Sequence, residues 1–110
     1  MATRKLLLAF QMAGCVILLG GCDLEMYTRE GMHKNFVDAI QANVGQTLES
    51  LQVSGWANPK KLISKTTMPD GLIAYRYFEY EGCSYTYEVD PGTHTIKAAH
   101  VDGTACILTP

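Results

Sequence analysis

The chain has 110 residues, 47% of them hydrophobic, and a formal net charge of −2. That length leaves room for one domain with a small core, and the slight acidic excess argues against nucleic acid as a partner, because meeting phosphates requires a basic face.

The first 21 residues have the layout of an export signal. Arg4 and Lys5 form a basic start, Leu6 to Leu19 is apolar apart from Gln11, and Gly20-Gly21 place small residues before Cys22. A membrane-spanning helix needs about 20 predominantly apolar residues; this run is shorter and ends at glycines followed by Asp23 and Glu25. Leu19-Gly20-Gly21-Cys22 resembles the lipobox of bacterial lipoproteins. The resemblance implies acylation of the Cys22 thiol, cleavage before it and usually acylation of the new amino group. The competing reading is an ordinary cleavage site beside a chance cysteine, or one that later joins a disulfide. Two or three acyl chains, at about 0.8 kcal/mol per buried CH₂, hold far more firmly than one. An Asp directly after the acylated cysteine is an inner-membrane retention signal in enterobacterial lipoproteins, and Asp23 stands there, with the outer membrane as the alternative. In either case the domain faces the periplasm.

Cleavage removes two of the 9 basic residues and no acid, so seven basic residues stand against 11 acidic ones, a net charge of −4. Cys15 leaves with the signal and Cys22 is assigned to lipid, so Cys83 and Cys106 remain. Two thiols exported to an oxidising compartment are expected to pair. A metal pair or a nucleophilic cysteine are the alternatives, and neither finds partners at usable spacing.

Residues 22–32 read as a lipidated tether, without sustained period and containing Gly31, and 33–110 as the periplasmic domain. From His33 to Val44, Phe36, Val37, Ile40 and Val44 share one side at helical spacing, so an amphipathic helix of about three turns is expected. Thr47 is placed to cap a short second helix that carries Leu48 and Leu51 and stops at Gly55. Trp56 is expected as a lid on the core, and Asn58-Pro59 as a turn.

The remainder reads as strands. Lys61, Ile63 and Lys65 alternate with Leu62 and Ser64, as in a lysine-protected edge strand. Met68-Pro69-Asp70-Gly71 is a turn, Leu72 to Tyr80 a strand rich in aromatic residues, and Glu81-Gly82 a reversal. Cys83, Tyr85, Tyr87 and Val89 alternate with Ser84, Thr86 and Glu88, which predicts one buried face. Asp90-Pro91-Gly92-Thr93 turns the chain into a last strand from Thr95 to Val101, which brings Cys106 back to Cys83. The expected fold is α+β: two helices packed on a three- or four-stranded antiparallel meander, with one disulfide.

No catalytic constellation emerges, and no cofactor or metal site is expected. Glu79 and Glu81 are more simply solvated carboxylates at a turn than an acid/base pair. His94 and His100 are too far apart along one strand to share a metal, and His33 is distant in sequence. Tyr75, Tyr77, Phe78 and Tyr80 straddle both faces of their strand, so some need covering by something else, and they form the candidate partner surface.

Val44-Gly45-Gln46-Thr47 before the second helix, Gly55 and Pro59 after it, and Cys83, Val89-Asp90, Ile96, Gly103 and Cys106 in the strands together resemble the small envelope lipoproteins related to BamE (SmpA/OmlA) and OsmE. The chain differs from them in having Trp56-Ala57-Asn58 between Gly55 and Pro59. The resemblance covers residues 33–106 and implies a helix-helix-sheet fold and a non-enzymatic, protein-binding role in the envelope. An inhibitor of a periplasmic hydrolase such as lysozyme is the alternative, with Met68–Gly71 or Glu79–Gly82 as its inserting loop. A surface-exclusion factor is a third reading.

Overall fold

The computed structural model describes residues 27–109; the signal, the acylation candidate Cys22, Asp23 and the first part of the tether lie outside them. Two helices, α1 (Arg29–Gln41) and α2 (Leu48–Ser54), precede a 3-10 turn at Pro59–Lys61 and four strands. The strands are β1 (Leu62–Thr67), β2 (Ile73–Tyr80), β3 (Cys83–Val89) and β4 (Ile96–Asp102), and they form one antiparallel meander in the order β1-β2-β3-β4.

Helix α1 begins four residues before the expected start, so Arg29–Met32 is helix rather than tether. Thr28 is the N-cap: its hydroxyl accepts from the Gly31 amide at 3.0 Å, and Glu30 places a negative charge in the first turn. Contacts from the other end of the chain hold that turn in place. The Leu108 amide donates to the Met32 carbonyl at 2.9 Å, and His33 Nδ1 donates to the Cys106 carbonyl at 2.6 Å.

The helix also stops earlier than expected. Val44 falls in the turn after it and is exposed, while Asn43 takes the buried place and donates to the Tyr87 hydroxyl at 3.0 Å. The linker that follows is pinned to the start of β4, with the Gly45 amide on the Ile96 carbonyl and the Ile96 amide on the Gln46 carbonyl, both at 2.8 Å. Thr47 caps α2 through the Ser50 amide, and Gly55 closes it.

Tyrosines make the core. Tyr77 faces Tyr85 and Tyr75 faces Tyr87 across the β2–β3 pair. Three of those rings form a triangle with centroids 5.5–5.9 Å apart, and Phe36 of α1 meets Tyr85 at 6.2 Å. Ile40, Leu48, Leu51, Val89, Ile96 and Ala99 complete the packing. Trp56 is half-buried against Phe36, the lid that the sequence suggests.

Hydroxyl chemistry separates two of these rings. The Tyr87 hydroxyl donates to the Trp56 carbonyl at 2.9 Å and accepts from Asn43, whereas the Tyr85 hydroxyl is buried with no partner among the described residues. Removing the first leaves the buried Asn43 amide and the part-buried Trp56 carbonyl without this partner, and removing the second strands nothing. Tyr87→Phe is therefore expected to destabilise by about 1–3 kcal/mol, and Tyr85→Phe to be neutral or stabilising. Urea midpoints of the two variants measure the difference.

Cys83 and Cys106 are disulfide-bonded, with Cα atoms 4.9 Å apart and a sequence separation of 23. The bond ties the C-terminal segment to the first residue of β3 and, through His33 and Met32, to the first turn of α1.

Candidate functional site

Alternation along the strands sorts the sheet into two faces. Cys83, Tyr85, Tyr87 and Val89 of β3 point inward as expected, and the register carries Tyr75 and Tyr77 of β2 and Ala99 and Val101 of β4 to the same side. The opposite face is uncovered by any described element. Across it run Phe78, Ser84 and Asp102 in one row and Ser64, Arg76, Thr86 and His100 in the next.

This sorting divides the four candidate partner residues of β2. Tyr77 is 2% exposed and belongs to the core, and Tyr75 is half-buried beside it. Phe78 and Tyr80 point the other way, at 45% and 38% exposure. Of the four, Phe78 and Tyr80 alone are available to a partner. An aromatic run that continues on both faces of a strand has no period-2 signal to separate them.

Phe78 and Tyr80 line a shallow groove of about 300 Å³ with Ile63, Arg76, Ser84 and Asp102. The groove lies at the end of the sheet where β2 turns into β3. Arg76 donates to the Ser84 hydroxyl at 3.2 Å. Tyr80 reaches the C-terminal segment, donating to the Ala105 carbonyl at 3.1 Å and accepting from the Ile107 amide at 2.9 Å. Sequence reasoning missed Ile63 and Ile107 as neighbours of this aromatic pair. Ile63 sits in an irregularity of the β1–β2 register, and Ile107 lies in a segment without regular structure.

Strand β1 is one edge of the sheet, and all six of its residues are exposed. Lys61, in the 3-10 turn just before the strand rather than in it, is 2.9 Å from Glu79, and Lys65 of β1 lies 5.3 Å above the Tyr75 ring. The outer side of β1 is an exposed strand edge, whereas the other edge strand, β4, is bonded at Ile96 to the linker after α1 and at Ala99 to Gln41.

The titratable groups form pairs rather than a reaction centre. His94 contacts Glu49 and His100 contacts Glu88. The hydrogen bond from His94 holds Glu49 below the usual carboxylate range. Asp90 is lowered by the Thr93 and Gly92 amides that its side chain accepts in the turn before β4. Glu79 faces Lys61, and Glu81 is exposed at the hairpin tip. Among the described residues no three His, Cys, Asp or Glu side chains gather as metal ligands.

Burial raises the core tyrosines. Loss of water pushes the Tyr77 hydroxyl up to about 12, and the same cause raises Tyr85 and Tyr87. Below about pH 10 all three are neutral in the folded and unfolded chains alike, and their contribution to stability is intact. Above it the unfolded chain loses protons first, so stability falls by up to about 1.4 kcal/mol per pH unit for each tyrosine until the folded state titrates too. Absorbance at 295 nm and far-ultraviolet circular dichroism are expected to change together between about pH 10 and 12.

No described helix is long and apolar enough to cross a membrane. No protein-family model, curated protein or solved structure matches the chain.

Proposed function

We propose that this chain is a bacterial envelope lipoprotein, exported, acylated at Cys22 and displaying a non-catalytic α+β domain that binds another envelope protein on the periplasmic side. The observation that carries the reading is the junction Leu19-Gly20-Gly21-Cys22, which lies only five residues ahead of Tyr27, the first described residue. A basic start, a short apolar run and small residues before a cysteine agree with one another there. The Cys83–Cys106 bond supports export, since disulfides persist in oxidising compartments. Two helices ahead of a sheet that carries the paired cysteines is also the order implied by the resemblance to the BamE and OsmE lipoproteins. Asp23 favours the inner membrane over the outer.

The binding surface in this reading is the uncovered face of the sheet together with its β1 edge. A free strand edge offers main-chain hydrogen bonds to an extended partner segment, and the side chains beside it supply selectivity. Photo-crosslinkers placed in living cells at Thr66 on β1 and Thr86 on the open face test this. The expected result is a discrete protein adduct from at least one of them and none from Val53 on α2. Absence of adducts at both sheet positions would count against a protein-binding role.

A further inference from the structure

The topology gathers several chain segments at one end of the domain. Strands β2 and β4 finish there, β1 and β3 start there, and the disulfide closes there. Helix α1 starts at the same end, because Met32 and His33 are bonded to Leu108 and Cys106, whereas the turn after α1 is bonded to Ile96 at the opposite end. The chain therefore enters the domain beside the β2–β3 turn.

Exposed apolar side chains collect at this entry end. Eight large hydrophobic residues are exposed among those described, and six of them, Tyr27, Leu62, Ile63, Phe78, Tyr80 and Ile107, lie there. Val44 is at the opposite end, and Val53 is on α2. The opposite end instead presents the polar turns at Asp70 and Asp90.

We infer that this entry end rests against the bilayer surface, with Ile63, Phe78, Tyr80 and Ile107 in the interfacial layer. The inference rests on Cys22 being the lipid anchor. Thr28 is six positions after Cys22, and even fully extended those six steps reach only about 20 Å. The cap of α1 is thus confined to within that distance of the acylated cysteine, while the far end of the domain is carried beyond it by the length of α1, itself about 20 Å.

Tethering at so short a range raises the local concentration of lipid to a level at which weak apolar contacts suffice. Aromatic residues with one polar atom suit that layer. Among the described residues the charges nearby are balanced, with Arg29, Lys60, Lys61 and Arg76 against Glu30, Glu79, Glu81 and Asp102, and the tether adds only the acids Asp23 and Glu25, so no basic excess draws this end to lipid and the contact is apolar and persists in high salt. The remainder of the open face and the far half of the β1 edge stay clear of lipid and free for a protein partner.

The test uses the full-length acylated protein in phosphatidylcholine vesicles whose acyl chains carry bromine, which quenches tryptophan on contact. In a Trp56→Phe background, the reporter is introduced by Phe78→Trp or, as the far-end control, by Val44→Trp. Vesicle flotation of the same samples reads the anchor separately. The expected result is flotation of both variants with several-fold stronger quenching at position 78 than at position 44, unchanged at high salt. Flotation with equal quenching at the two positions overturns the orientation and leaves the anchor standing. Failure to float refutes the anchor and the orientation together. The unsubstituted protein supplies a second measurement: relative to the unacylated Cys22→Ala chain, amide exchange on vesicles slows at residues 78–82 and 105–107 and is unchanged at 90–95. Equal exchange in the two chains contradicts the seating.

Discussion

Gly103→Ala is expected to lower the stability of the domain by about 3 kcal/mol or more, a large fraction of the total for a chain of this size. Gly103 follows β4 with φ +95°, in the left-handed region, and a Cβ there would stand 1.9 Å from the Gly82 carbonyl oxygen and 2.9 Å from its carbon. Both atoms belong to the backbone of the β2–β3 turn, so no side-chain rotation relieves the overlap. The turn and the end of β4 have to move apart, and the chain leading to Cys106 moves with them.

Gly71→Ala is the natural control. Its φ is +89°, but nothing lies within 4 Å of the added atom, so only the conformational cost remains, about 1 kcal/mol. A urea midpoint for Gly103→Ala no lower than that for Gly71→Ala would show that the two backbones are less closely packed than described.

Breaking the disulfide, by reduction or by Cys83→Ala with Cys106→Ala, is expected to cost about 3 kcal/mol, roughly a hundredfold in the folding equilibrium. The loss is not spread evenly. Cys106 anchors the C-terminal segment, and that segment supplies the carbonyl and amide that hold His33 and Met32. The amides in the first turns of α1 are therefore expected to exchange faster on reduction, and those at the centre of β3 to follow only the global loss. An unchanged denaturation midpoint after complete reduction would contradict a stabilising role. Reduction also separates this bond from the rest of the core, because the tyrosine triangle and Phe36 contain no sulfur.

The hairpins were legible in the sequence because their signals are local. Pro69-Asp70-Gly71 and Asp90-Pro91-Gly92 specify turns, and period-2 alternation in Cys83–Val89 specifies a buried face. The cysteine pairing was legible from export chemistry and the count. The start of α1 was not, because Gly31 and the absence of an apolar period obscure a turn held by the Thr28 cap and by residues more than 70 positions away. Nor was the division of the β2 aromatics, since Tyr75, Tyr77, Phe78 and Tyr80 offer large rings to both faces and only the register with β3 decides which enter the core. The gathering of exposed apolar residues at the entry end is likewise a property of topology, invisible until β1, β2, β4 and the C-terminal segment are brought side by side.

Attachment through Cys22 underlies both the proposed function and the orientation on the membrane, and it has a direct measurement. Cells expressing the full-length chain or Cys22→Ala are fed an alkyne-bearing palmitate analogue, and the purified protein is examined for label and for membrane association. Incorporation of label and sedimentation with membranes are expected for the full-length chain, with both lost in Cys22→Ala. A Cys22→Ala chain that still takes up label and remains membrane-bound would contradict the assignment of this cysteine to lipid.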